Sequence, residues 1–248
     1  MLIIMEGGDG SGKSTQAKEL ADRCGFKYVD KPISEFFYDK FGRDAKTWSD
    51  AAKRFAIEHA EEFPDLEKSF EGLFLTASYD NELSHLQRAL TTLSYLEYVA
   101  NKYKDQNVVI TRGFLSSYMW NGGQETLNGQ TTDPLYDAML QLGVGVGINI
   151  VLHTSDVARR ERLIRRAEET GIPVEQDEKR PFDLHPAVDF VRERGVDVIE
   201  VDTDGKSKAE VSDEIWAKLN QNQDFINLMN GEQVPLDIQT VKPTTPTE

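Results

Sequence analysis

The residues best equipped for chemistry stand in one run near the amino terminus, Gly7-Gly8-Asp9-Gly10-Ser11-Gly12-Lys13-Ser14. It satisfies the Gly-x4-Gly-Lys-Ser/Thr pattern in full. Glycines let successive backbone N–H groups wrap an anion with no side chain between them. A helix beginning near Lys13 aims its positive end at the same anion. The Lys13 ammonium reaches β- and γ-phosphates, and the Ser14 hydroxyl can ligate Mg²⁺. Gly8, Gly10, Ser11, Gly12, Lys13, Ser14 and Thr15 are therefore the expected cradle for ATP, with Mg²⁺ on Ser14.

The elements needed to position that loop are legible on both sides of it. Leu2 to Met5 reads as a short apolar strand, and Lys13 to Arg23 has helical composition that ends near Gly25. Further along, Phe26 to Val29, Val108 to Thr111, Ile148 to Leu152 and Val196 to Val201 read as strands. Helical patterns alternate with them: Ser84 to Tyr103, with Leu86, Leu90, Leu93, Leu96 and Val99 at three- or four-residue spacing; Asp133 to Leu142; and Lys208 to Leu219. Ser155 is placed to cap one more helix, which Gly171 can end. Strands alternating with helices imply an α/β domain with a parallel sheet and crossover helices, here a three-layer P-loop NTPase fold. One domain over residues 1–230 is expected, followed by a Pro/Thr-rich flexible tail over 231–248.

Composition narrows the class. The chain has 248 residues, 39% hydrophobic and 29% charged, an ordinary soluble balance. Its formal charge of −15 repels polyanions, so nucleic acid is an unfavourable partner while a local basic pocket for a small phosphorylated ligand remains open. The single cysteine, Cys24, cannot form an internal disulfide and reads as an inert thiol, which fits a reducing cytoplasm. The sequence contains no run near the roughly 18 apolar residues of a membrane span.

Beyond the loop, three segments carry a family resemblance. Met5 to Thr15 resembles the opening of thymidylate kinases and related deoxynucleotide kinases. Val109-Ile110-Thr111-Arg112-Gly113, with the following run to Gly123, is similar to the segment where that family ends a strand in Asp-Arg. Asp156 to Arg166 resembles the family's arginine-bearing lid. The resemblance implies that Asp9 touches the acceptor sugar and that Arg112 clamps the acceptor phosphate. It also implies that Trp120 and Asn121 meet the base, and that Arg162 and Arg166, on one helical face with Arg159, neutralise the moving charge. Lys31, in Asp30-Lys31-Pro32, matches a basic residue that monophosphate kinases place near the acceptor phosphate.

Together these features imply ATP-dependent phosphorylation of a deoxynucleoside 5′-monophosphate, with dTMP first, by a cytoplasmic enzyme that takes small nucleotides; the resemblance also implies a homodimer. Lys13, Arg112, Arg162 and Arg166 are the expected catalytic residues. The leucine-rich face of 84–103 suits either a dimer interface or the core. Thr111 departs from the family's acid, so another acid or a held water must complete the metal shell, or transfer is lost. Other readings stay open: a deoxynucleoside kinase with Asp30 as base, or a kinase acting on a base or an end in DNA. A GTPase-like switch lacks its guanine motif, because Asn101-Lys102-Tyr103-Lys104 fails at the last position. Residues 36–84 carry no assignable motif and are expected to shape the acceptor side.

Overall fold

A computed structural model describes residues 1–41, 82–121, 132–141, 143, 147–171, 173–174 and 182–231. Five parallel strands form the centre: β1 (Leu2–Gly7), β2 (Lys27–Val29), β3 (Val108–Thr111), β4 (Ile148–His153) and β5 (Val198–Asp202). Their order across the sheet is β2-β3-β1-β4-β5. The described helices are α1 (Lys13–Cys24), α2 (Pro32–Phe41), α3 (Glu82–Lys102), α4 (Phe114–Asn121), α5 (Asp133–Gln141), α6 (Asp156–Thr170), α7 (His185–Arg192), α8 (Lys208–Leu219) and α9 (Gln223–Met229).

The three layers follow from strand alternation, because successive side chains leave opposite faces of a strand. Along β1, Ile4 faces a core shared with residues of α3, α4, α5 and α7, including Leu93, Leu96, Phe114, Tyr136 and Val188. Ile3 and Met5 face the other way, onto Ala17 and Leu20 of α1, Ile215 of α8 and Phe225 of α9. With helices on both faces, a central strand must be apolar throughout, which Leu2 to Met5 is. The leucine stripe of α3 serves this core: Leu93, Leu96 and Val99 are buried within the chain, and Leu90 is exposed.

β1 pairs with β3 on one side and β4 on the other, through Ile3↔Val109 and Ile3↔Ile148. From the carboxyl end of β1 the chain leaves towards β2, and from that of β4 it leaves towards β5. Neighbouring strands whose connections diverge open a crevice at their carboxyl ends, and this is where open α/β sheets bind ligands. The Gly7–Ser14 loop lies there.

The expected strands and helices are found with ends shifted by a residue or two, and the expected caps form: Ser155 Oγ accepts from the Ala158 N–H, and Gly171 ends α6 in a left-handed conformation. The helices not named from the sequence are α2, α4, α7 and α9; α4 and α7 are short and pack on the Ile4 face, and α9 packs on the Ile3 face through Phe225. Most of the motif-poor section 36–84 and the tail beyond Gly231 fall outside the described residues. No helix among the described residues is long and apolar enough to cross a membrane.

Candidate active site

The loop between β1 and α1 folds back on itself around Lys13. Its Nζ donates to the Gly8 carbonyl at 3.1 Å and to Asp9 Oδ1 at 3.0 Å. Burial, then the neighbouring Arg112 charge, push the Lys13 ammonium down to about 8, with Asp9 offsetting part of the shift. Gly10 sits at φ 88°, and a Cβ there would lie 2.8 Å from the Arg159 carbonyl oxygen, so both the backbone angle and the close approach of α6 require glycine. Ser11 Oγ is buried among these turns with no hydrogen-bond partner. An orphaned buried hydroxyl costs about 1–3 kcal/mol, the kind of cost seen where a polar ligand completes a site.

Arg112 reaches the same loop from the end of β3. Its φ is 61°, left-handed for a residue with a side chain, at a cost of about 1–2 kcal/mol. Three contacts hold it there. The Arg112 N–H donates to the Met5 carbonyl at 3.0 Å. The next residue, Gly113, has no room for a side chain, since a Cβ would lie 2.7 Å from Ile4 Cγ2. Glu6, fully buried at the end of β1, accepts from the Gly113, Leu115 and Ser116 N–H groups at 2.8, 3.1 and 3.3 Å, and from the Ser116 hydroxyl. Glu6 thus caps the start of α4, where the orphan donors and the helix dipole favour a carboxylate. Burial nonetheless pushes its carboxyl up, against those hydrogen bonds and the Arg112 charge.

Placed this way, the Arg112 guanidinium bonds Asp9 through Nη2, while its Nε is buried without a partner. Burial alone would raise Asp9, but the Arg112 and Lys13 charges outweigh it and hold the carboxyl well below the usual carboxylate range. Asp9, Lys13 and Arg112 therefore form one connected charge cluster at the mouth of the loop. Lys31 is near enough for its charge to be felt at Lys13.

The departure at Thr111 has a local answer. Thr111 is buried, and its hydroxyl donates to the Asp30 backbone carbonyl and lies 3.1 Å from Asp30 Oδ1. The Tyr28 hydroxyl donates to the same Oδ1 at 3.0 Å and also meets the Ser14 and Thr111 hydroxyls. An exposed carboxylate at the end of β2 therefore lies beside the Thr111 hydroxyl. Ser14, Thr111 and Asp30 offer oxygen donors only, the set that suits Mg²⁺.

On the other side of the loop, α6 brings its arginines over it. Arg159 is buried, bonds Asp156 at 3.2 Å and reaches the Asp9 carbonyl at 3.5 Å. Arg162 donates to the Thr203 hydroxyl and carbonyl at 2.9 and 2.7 Å, and lies 3.5 Å from the Gly10 and Ser11 carbonyls. Arg166 lies one turn further along α6. Trp120, near the end of α4, is half-buried with its ring centroid 5.7 Å from that of Phe182. Asn121 closes α4, and its side chain lies outside the described residues. A cavity of about 530 Å³ opens beside Gly8, walled by Arg159 and Phe182 and edged by His153, His185, Asp202 and Asp204. That volume falls within the range of small-ligand pockets.

A family model described as an AAA domain matches residues 2–207. The chain belongs to the AAA domain family. No curated protein matches the sequence. Among solved structures, this AAA domain is similar to a gluconokinase from Sinorhizobium meliloti 1021, at 18% identity over 93% of this chain and 97% of that one, with a TM-score of 0.45. It is also similar to a shikimate kinase from Acinetobacter baumannii in complex with shikimate (16% identity, 90% and 94% covered, TM-score 0.45). A third similar structure is a deoxyadenosine kinase from M. mycoides with bound dATP (15%, 89% and 99%, TM-score 0.47). Identities this low say nothing about a shared acceptor.

In this AAA domain the expected residues Asp9, Lys13, Ser14, Lys31 and Arg112 gather at the carboxyl ends of β1, β2 and β3, and Arg162 closes over the loop from β4. Sequence reasoning missed Glu6 and the cavity-edge residues His153, Asp183, His185, Asp202 and Asp204. A carboxylate directly before the first loop glycine, inside an otherwise apolar strand, was the available signal for Glu6. The cavity residues come from the ends of three elements far apart in sequence, and no local pattern joins them.

Proposed function

We propose that this chain transfers the γ-phosphoryl group of ATP to the 5′-phosphate of a deoxynucleoside monophosphate, with dTMP as the first acceptor to test. The observation that carries this reading is the Arg112 turn. A strained backbone held by a buried carboxylate puts a guanidinium on the loop's own Asp9 and leaves Nε free for an incoming anion. Strain of that kind persists where the surrounding structure over-determines it, and it clusters at functional sites.

An acceptor phosphate is already an anion near neutral pH, so one of its oxygens can attack the γ-phosphorus without a strong base. The bond to the β–γ bridging oxygen breaks, and ADP leaves. Catalysis then consists of alignment and of neutralising charge on the transferred group. Lys13 exchanges its bonds to Gly8 and Asp9 for β- and γ-phosphate oxygens. Arg112 and Lys31 orient the acceptor, and Asp9 holds Arg112 and meets the sugar. The cavity beside Gly8 takes the donor nucleoside between Phe182 and Arg159. Arg162, with Arg166 behind it, turns from Thr203 towards the moving charge as α6 closes, and closure keeps water from taking the phosphoryl group. Ser14, Thr111 and Asp30 would hold Mg²⁺, which supplies electrostatic neutralisation of the triphosphate.

One observation favours a second reading. Asp30 is an exposed carboxylate at the carboxyl end of β2, placed to take a proton from a 5′-hydroxyl. A panel of deoxynucleosides, their 5′-monophosphates and a DNA oligomer, incubated with Mg-ATP and resolved by mass, separates the readings. Diphosphate from a monophosphate supports the first, and monophosphate from a nucleoside replaces it with the second. ATP binding with no transfer to any acceptor overturns both.

A further inference from the structure

Away from the phosphate side, the far edge of the cavity gathers a different set of ligands. His153 ends β4, Glu200 lies in β5 and His185 begins α7. The β4–β5 register pairs Val151 with Glu200 and His153 with Asp202. Residues two apart on a strand share a face, so His153 and Glu200 project together. It is the face that carries Val151 into the same core as Val188 and Val191 of α7. His153 Nε2 lies 2.7 Å from Glu200 Oε2, and the two imidazole rings are 4.6 Å apart at 20°. One ligand atom from each of His153, His185 and Glu200 falls within 4.8 Å of the others.

The surrounding groups already engage the second polar atom of two of these ligands. Asp183 Oδ1 sits 2.5 Å from His185 Nδ1, which fixes the tautomer that carries the proton there and leaves Nε2 with its lone pair. The Arg192 guanidinium holds Glu200 Oε1 at 2.5 Å and leaves Oε2 facing His153. Carboxylates behind ligating histidines, and donors behind ligating carboxylates, are the outer-shell pattern of protein metal sites.

We propose that His153, His185 and Glu200 form a binding site for a borderline divalent cation of the Zn²⁺ class, separate from the oxygen-only set at Ser14. Two imidazoles and a carboxylate provide three ligands, and water from the cavity completes a tetrahedron. Imidazole selects Zn²⁺, Cu²⁺ or Ni²⁺ over Mg²⁺, so the two sites do not compete for one ion. A bound ion ties the Phe182–His185 segment, a wall of the cavity, to the ends of β4 and β5. The proposal stands whether or not the chain is a kinase.

The test uses the tag-free full chain. Zn²⁺ titrated against a chromophoric chelator, in excess Mg²⁺, should show one equivalent bound. Co²⁺ in its place should give the visible bands of a tetrahedral site. His185→Ala changes an exposed residue, so it should fold normally by circular dichroism and lose the equivalent and the bands. Asp183→Asn should keep the stoichiometry and weaken binding about 10–100-fold. Absence of stoichiometric binding overturns the proposal, as does binding left unchanged by both His185→Ala and His153→Ala.

Discussion

Two arginines approach the phosphate loop from opposite sides of β1, and they are held in opposite ways. Arg112 comes from the turn after β3, with a left-handed backbone, a carboxylate partner and an unpartnered buried Nε. Arg162 comes from the relaxed helix after β4, with its short hydrogen bonds spent on Thr203. The first is held in place at a cost of backbone strain, and the second is a tie to Thr203 that the proposed transfer would have to release. A guanidinium fixed in advance needs no reorganisation when charge develops, which is where electrostatic catalysis gains most. In the proposed reaction Arg162 would contribute only after α6 closes, so its resting contacts would be structural.

That contrast is most exposed to Arg112→Ala, which should lower kcat/KM about 10³-fold, roughly 4 kcal/mol, with ATP affinity little changed. Arg112→Gly relieves the left-handed strain and should melt higher than Arg112→Ala while being equally slow. If it recovered activity, strain and not charge would be the device. Asp30→Asn comes next: the Mg²⁺ concentration needed for half-maximal transfer should rise about tenfold or more with the melting temperature nearly constant. An unchanged Mg²⁺ requirement would remove Asp30 from the metal shell.

Arg162→Ala should cost about 1.5–3 kcal/mol of stability, because charge-assisted bonds to Thr203 are lost, and should slow turnover about tenfold with ATP affinity held. A lower melting temperature with unchanged turnover would make Arg162 a tie and nothing more. Ser116→Ala should have the smallest effect, about 1–2 kcal/mol in a denaturant titration, because Glu6 keeps its three backbone donors. A loss of transfer out of proportion to that would mean that Ser116 sets the Arg112 turn.

The phosphate loop, its strand and its helix were legible because each is specified within a dozen residues. Glycines at left-handed positions and the lysine and serine that follow need no distant partner to be recognised. The strand pattern was readable for the same reason: a sheet covered on both faces demands runs such as Val108 to Thr111. The helix α4 was not, since its start is capped by Glu6, more than a hundred residues earlier. The meeting of Asp30 with Thr111 was equally hidden, because it comes only through pairing of β2 with β3.

By itself the sequence determined that a triphosphate-binding loop sits between a buried strand and a helix in a parallel α/β domain. The physical reason is that backbone geometry, strand burial and helix dipole are local properties. Tertiary structure alone decided which charges meet. It set Arg112 on Asp9, brought the Asp30 carboxylate beside Thr111, and tied Arg162 to Thr203. It also gathered His153, His185 and Glu200 from three elements, since the strength of charged contacts depends on through-space distance and burial, which chain order does not encode.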